Sequence, residues 1–168
     1  MANVEPWLRG TLTEVDPVQR AVLHALELAE EDIDKWCSDL GVEEMFARPR
    51  GLPPVAFQLR HIARSLDRLL TYAEGSQLSE DQVAALKSEM EAGSAGEVLE
   101  EVRRGLERAQ QRVLAIAPES FAEPRGVGKK MLPTTVVGLL VHCADHTQRH
   151  VGQAVTTAKV VKAATSNE

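Results

Sequence analysis

Aromatic residues are scarce in this chain: three Phe, two Trp and one Tyr among 168 residues. Nor do β-branched residues alternate with polar ones over any long stretch, so the period-two pattern of half-buried strands is missing. No apolar run approaches the length of about 18 residues that a membrane-spanning helix needs. Cysteine is limited to Cys37 and Cys143, with no CxxC spacing, and the two read as reduced, buried thiols rather than a disulfide. Basic residues are outnumbered, 19 against 25 acidic, for a net charge of −6. No basic stripe is visible, which argues against nucleic acid as the main partner, since phosphate binding needs one. The opening MANVEPWLRG lacks the basic and apolar regions of a signal peptide, so a cytoplasmic location is expected, with no membrane partner.

What the chain has instead is Ala, Leu, Glu, Arg and Gln, strong helix formers, within a composition of 43% hydrophobic and 26% charged residues. Its length suits a single domain, 1–168, large enough to bury a core. Residues 1–15 read as an irregular lead-in whose Trp7 and Leu8 dock on the body. Asp16-Pro17 then supplies a cap acceptor followed by proline at the first helical position. Val18, Val22, Ala25, Leu26, Ala29, Ile33 and Trp36 recur at three- and four-residue spacing up to about Ser38. Residues 41–53, broken by Pro49, Gly51 and Pro53, read as a loop.

Pro54 opens the second long helix, where Phe57, His61, Ile62, Ser65, Leu66, Leu69 and Leu70 share a face, and it ends before Gly75. Ser79 with Gln82 forms a capping box for a short helix to about Met90, and Ser94 with Glu97 forms another. Val98, Val102, Leu106, Ala109, Val113 and Ile116 carry the third long helix up to Pro118. Residues 118–132 read as a loop. The fourth helix is expected from about Pro133 to Ala164. Four helices, each apolar on one side, bury those sides by packing together. The fold class is all-α, a four-helix bundle with a short extra helix between its second and third long helices.

Five histidines are present, and His142, His146 and His150 are spaced four and four in HCADHTQRHVGQ. On a helix each such step advances about 40° around the axis and about 6 Å along it, so all three point within about 80° of one another, towards the buried side. His142 and His150 are then about 12 Å apart along the axis, too far to share an ion. A metal takes either His142 with His146 or His146 with His150. His61, on the apolar stripe of the second helix, is the best third ligand. It lies about 10 Å into its helix and His146 about 20 Å into the fourth; antiparallel helices about 30 Å long bring the two level. Parallel helices do not. His24, alone on an apolar face, reads as a hydrogen-bonded core residue.

Other chemistries lack their residues. Glu-x-x-His is absent, since the positions three before each histidine are Ala21, Gln58, Leu139, Cys143 and Thr147. There is no HExxH, P-loop, dinucleotide fingerprint or GxSxG. Cys143 beside two histidines reads as a small buried thiol before it reads as a nucleophile. Asp67, Asp145, Tyr72 and Gln153 are acid–base candidates by proximity alone.

With FQLRHIARSLDRLL around His61 and a triple-His string closing on Gly152-Gln153, the chain resembles the DinB/YfiT-like superfamily of metalloenzymes over essentially its whole length. The resemblance implies an up-down-down-up bundle with the second and fourth long helices antiparallel. It also implies that His61, His146 and His150 are the ligands, leaving His142 a supporting role. Arg149 departs from the many relatives that carry a second His beside the last ligand. Further implications are a homodimer, a divalent metal (zinc or nickel before iron or manganese), and a small-molecule substrate. Relatives that use a low-molecular-weight thiol suggest a metal-dependent transferase, isomerase or hydrolase. Three imidazoles leave a coordination position open, as in catalytic zinc sites, where the ion lowers the pKa of a bound water or thiol. The alternative is a non-catalytic, metal-binding dimeric scaffold or a stress-related binding protein. An open cleft at the metal, lined by loops 41–53 and 118–132, favours the enzyme.

Overall fold

Asp16 and Pro17 start the first long helix as their order requires. The Asp16 carboxylate accepts from the backbone N–H groups of Val18 at 2.8 Å and Gln19 at 3.4 Å, and α1 runs Pro17–Cys37. The computed structural model describes residues 4–165; the first three residues of the expected lead-in, and residues 166–168, lie outside it. In the lead-in Pro6 is buried while Trp7 and Leu8 stand exposed, contrary to the expected docking. The segment is tied down by charge instead: the Arg9 guanidinium bridges Glu27 at 2.8 Å and Glu31 at 2.5 Å on α1.

Residues 41–53 are more ordered than a loop. Glu44 reaches back to accept from the Gly41 N–H at 3.0 Å and closes the first turn of a short helix, α2, Val42–Phe46. A 3₁₀ turn follows at Pro49–Gly51. α3 runs Val55–Ala73, α4 Glu80–Lys87 and α5 Ala95–Ala115, the last two starting at the capping boxes of Ser79 and Ser94. Residues 118–132, expected as a loop, are ordered too. Pro124–Val127 (β1) and Leu132–Thr135 (β2) pair antiparallel in a small hairpin. The last helix, α6, consequently begins at Val136, with the Thr135 hydroxyl accepting from the Gly138 N–H at 3.1 Å, and extends to Thr165.

Side-chain partners fix the direction of each long helix. Between α3 and α5, Arg64 meets Glu101 and Arg112 meets Asp67, so residue numbers rise together and the helices are parallel. Between α3 and α6, His61 meets His146 while Gln58 meets His150, which makes them antiparallel. Gln148 of α6 reaches the Ala25 carbonyl and Lys162 pairs with Asp39 just beyond α1, a parallel pair. Gln19, near the start of α1, donates to the carbonyls of Val113 and Ile116 at the far end of α5. The bundle is therefore up-down-down-up.

Leu26, Leu59, Ile62, Leu66, Leu106 and Leu140 are among the fully buried side chains between these helices. Each contributes about 1.5–3 kcal/mol by leaving water. α3 and α5 approach closely at Gly105, where an added Cβ would lie 2.6 Å from the Ala63 Cβ. Among the described residues no helix is long and apolar enough to cross a membrane.

Candidate metal centre

The antiparallel crossing of α3 and α6 brings His61 level with His146 and His150, as the height argument requires. Their ring centroids are 5.0 Å (His61–His146), 4.3 Å (His61–His150) and 4.5 Å (His146–His150) apart. One nitrogen from each ring falls within 4.8 Å of the others, and all three residues are half-buried. Phe57, one turn before His61 on α3, stacks on its ring at 5.5 Å.

Partners outside the cluster set which nitrogens face inward. His61 Nδ1 donates to the Glu89 carboxylate at 2.8 Å. His150 Nδ1 donates to the Gln58 side-chain oxygen at 2.6 Å. A carboxylate or amide oxygen only accepts, so each neutral ring carries its proton on Nδ1 and turns the Nε2 lone pair to the centre. His61 Nε2 lies 2.9 Å from His146 Nε2. That contact is met either by the His146 N–H donating to His61 Nε2 or, with both lone pairs turned inward, by a cation between them. Nitrogens bound to one tetrahedral ion at about 2.0–2.1 Å sit about 3.3 Å apart. The donor set thus fits a divalent ion, with imidazole suiting zinc, nickel, copper and iron alike. His146 Nδ1 is buried with no hydrogen-bond partner among the described residues, so no outer partner fixes that ring's tautomer.

Electrostatics favour the neutral, ligating form. Burial, reinforced by the neighbouring His150, His61, His142 and Arg149, pushes His146 down to about 4. Burial, with His61 and Arg149, pushes His150 to about 4 against the opposing pull of Glu89. Both rings are therefore uncharged at neutral pH, each with a single ring proton. Burial by itself would raise the Glu89 carboxyl, but its bonds to His61 and Arg68 outweigh that and hold it below the ordinary range. Glu89 is only 4% exposed and takes the Arg68 guanidinium at 3.1 Å on its other oxygen.

Glu89 and Gln58 are the site residues that sequence reasoning missed. Gln58, one turn before His61 and on the same stripe, could have been found from its i, i+3 spacing. Glu89 follows α4 with no periodic signal to mark it. Of the other candidates, His142 is exposed rather than turned to the buried side as expected; its ring lies 5.2 Å from that of His146 and its Nδ1 3.7 Å from Asp145. It stands at the point where α6 turns its polar face outward, and it is outside the three-ring cluster. Asp67 is engaged by Arg112 at 2.7 Å, and Tyr72 is buried. Asp145 pairs with Arg149 at 2.7 Å. Cys143 is fully buried, and burial pushes its thiol up to about 12, which disfavours it as a nucleophile. His24 is buried with its Nε2 3.1 Å from the Thr11 hydroxyl, the core role expected of it.

An open cleft of about 540 Å³ reaches Gln58, the hydrogen-bond partner of His150, and is lined by Leu52, Pro53, Gln58, Arg149, Gly152, Gln153, Thr156 and Thr157, with none of the three clustered histidines in its wall. The end of segment 41–53 contributes Leu52 and Pro53 to it. The 118–132 segment lines none of it: its hairpin packs at the opposite end of α3, where Arg125 donates to the Ala73 carbonyl at 2.8 Å.

Comparison with curated proteins yields no match. A family model described as the DinB superfamily matches residues 25–154, a span that holds α3, α5, most of α1 and α6, and all three clustered histidines. With well over half its length matched, and a three-histidine cluster suited to a divalent metal set between antiparallel helices, the chain belongs to the DinB superfamily.

Proposed function

We propose that the protein is a metal-dependent, thiol-handling transferase, isomerase or hydrolase, with His61, His146 and His150 as the ligands of a divalent ion, zinc or nickel first. The observation that carries this reading is the convergence of one nitrogen from each of the three rings within 4.8 Å of the others, with the outer nitrogens of His61 and His150 already engaged. A bound ion would supply a Lewis acid that lowers the pKa of a thiol to a value useful at neutral pH. Glu89 and Gln58 hold two rings in the ligating tautomer, and a cleft large enough for a small molecule reaches Gln58 beside His150. The protein's own thiols are fully buried, which pushes Cys37 up to about 11 and Cys143 to about 12 and disfavours both as the reacting group. On this reading the reacting thiol comes from outside, as the family resemblance implies.

The test begins with elemental analysis of protein purified without an affinity tag, expecting about one divalent ion per chain and its loss in His146→Ala. Protein loaded with zinc, nickel or manganese is then assayed for conjugation or isomerisation with a low-molecular-weight thiol. Turnover that disappears in His146→Ala supports the enzyme. A bound ion that raises the melting temperature, with no turnover for any metal or thiol, establishes the non-catalytic scaffold instead.

A further inference from the structure

The cleft at Gln58 has a chemical bias of its own. In a chain of net charge −6, its lining contains one cation, Arg149, and no Asp or Glu. The remaining polar residues are Gln58, Gln153, Thr156 and Thr157. The Thr156 hydroxyl is already turned to the Gly152 carbonyl at 2.8 Å. Gln58 is 1% exposed, and its oxygen is occupied by the His150 Nδ1–H. That leaves the amide NH₂ as its free end at the cleft wall, with no hydrogen bond to a described residue. That donor is available to a ligand that enters the cleft. Arg149 spends one N–H on Asp145, which lies outside the lining, and keeps further donors of its planar fork. Donors without acceptors, and a single positive charge, converge on one space.

We propose that this cleft is an anion subsite for a small-molecule carboxylate, received by the Arg149 guanidinium and the side-chain amides of Gln58 and Gln153. A fork of Arg N–H groups matches the two oxygens of a carboxylate, and the neutral amides add donors without a competing negative charge. Gln58 touches both this subsite and His150, so a molecule held by its carboxylate lies one side chain away from the histidine cluster. That the molecule is a substrate rests on the metal-dependent reading above; the anion subsite itself does not.

The experiment uses full-length, chelator-treated protein labelled with ¹⁵N, titrated at pH 7 with glutarate and, separately, with the neutral diamide glutaramide. Saturable shifts of the Gln58 and Gln153 side-chain amide signals with glutarate alone are expected. Arg149→Gln should weaken that binding about tenfold or more, with Arg149→Lys intermediate. Equal binding of the diamide, no change in Arg149→Gln, or no saturable shift overturns the proposal. His61→Ala separates the two readings: it should abolish zinc binding and leave glutarate binding unchanged. If wild type binds no zinc but still binds glutarate, the metal reading fails and the subsite stands.

Discussion

His61 and Glu89 lie 28 residues apart and share a 2.8 Å hydrogen bond from ring nitrogen to carboxylate, with Arg68 on the second carboxylate oxygen. The contact ties the segment after α4 to a ring that faces the bundle interior. An oriented carboxylate fixes the tautomer and angle of a histidine and raises its basicity as a ligand. Arg60 secures the same segment, donating to the Glu91 carbonyl.

Replacing Glu89 by Ala is therefore expected to weaken divalent-metal affinity about 10- to 100-fold. Glu89→Gln should lose less, because its amide oxygen still accepts from His61 Nδ1. Competition with a chromophoric chelator measures both variants. The Ala variant should also lose stability by about 1–3 kcal/mol, since it strands the His61 N–H and the Arg68 guanidinium. Affinity equal to wild type in Glu89→Ala removes its orienting role.

Acid should destabilise the metal-free protein. His146 and His150 are pushed from 6.5 down to about 4, so over that interval the unfolded chain binds more protons than the folded one. Their contribution is fully present above pH 6.5 and is lost as pH falls towards 4. Melting temperatures of chelator-treated protein, taken at intervals from pH 7.5 to 4.5, should fall across this window. His146→Gln and His150→Gln should flatten the slope, and an unchanged slope in both would show that these rings titrate normally.

Much of this architecture is local enough to read from sequence. Asp16-Pro17, Ser79 with Gln82, and Ser94 with Glu97 signal helix starts within four residues, and each lies where the helix begins. The level meeting of His61 with His146 follows from helix rise alone once the direction is known. The hairpin escapes because each strand has only four residues, and each strand carries a proline. Its order comes from pairing with the other strand. α2 escapes because Gly41 offers no side-chain cap, and the closing bond is supplied by Glu44 from inside the helix. Exposed His142 shows the limit of an angular argument: 40° per step locates residues relative to one another, while the neighbouring helices decide where the buried arc ends.

Gly105 sets the spacing of α3 and α5. An added methyl would meet the Ala63 Cβ at 2.6 Å and its Cα at 2.9 Å, closer than real contacts allow, so the helices must separate. Helix propensity pulls the other way, favouring Ala over Gly by about 1 kcal/mol. Overpacking costs about 1–3 kcal/mol, and because the obstacle includes backbone the steric effect should win. Gly105→Ala is expected to be destabilised in urea unfolding. A gain in stability would mean the interface is more yielding than its geometry indicates.

Neither cysteine should react in the native state. Cys37 and Cys143 are fully buried, and their thiols are pushed up to about 11 and about 12, chiefly by loss of solvent. At pH 8 the thiolate fraction of either is below about one in a hundred, and no path brings reagent to it. Ellman's reagent should label no thiol in folded protein and two in denaturant. The double variant Cys37→Ala, Cys143→Ala tests the link to function. If the reacting thiol comes from outside, it should keep the metal-dependent turnover of wild type at the cost of some stability. Loss of turnover in a variant that remains folded and metal-loaded would place a protein thiol in the reaction.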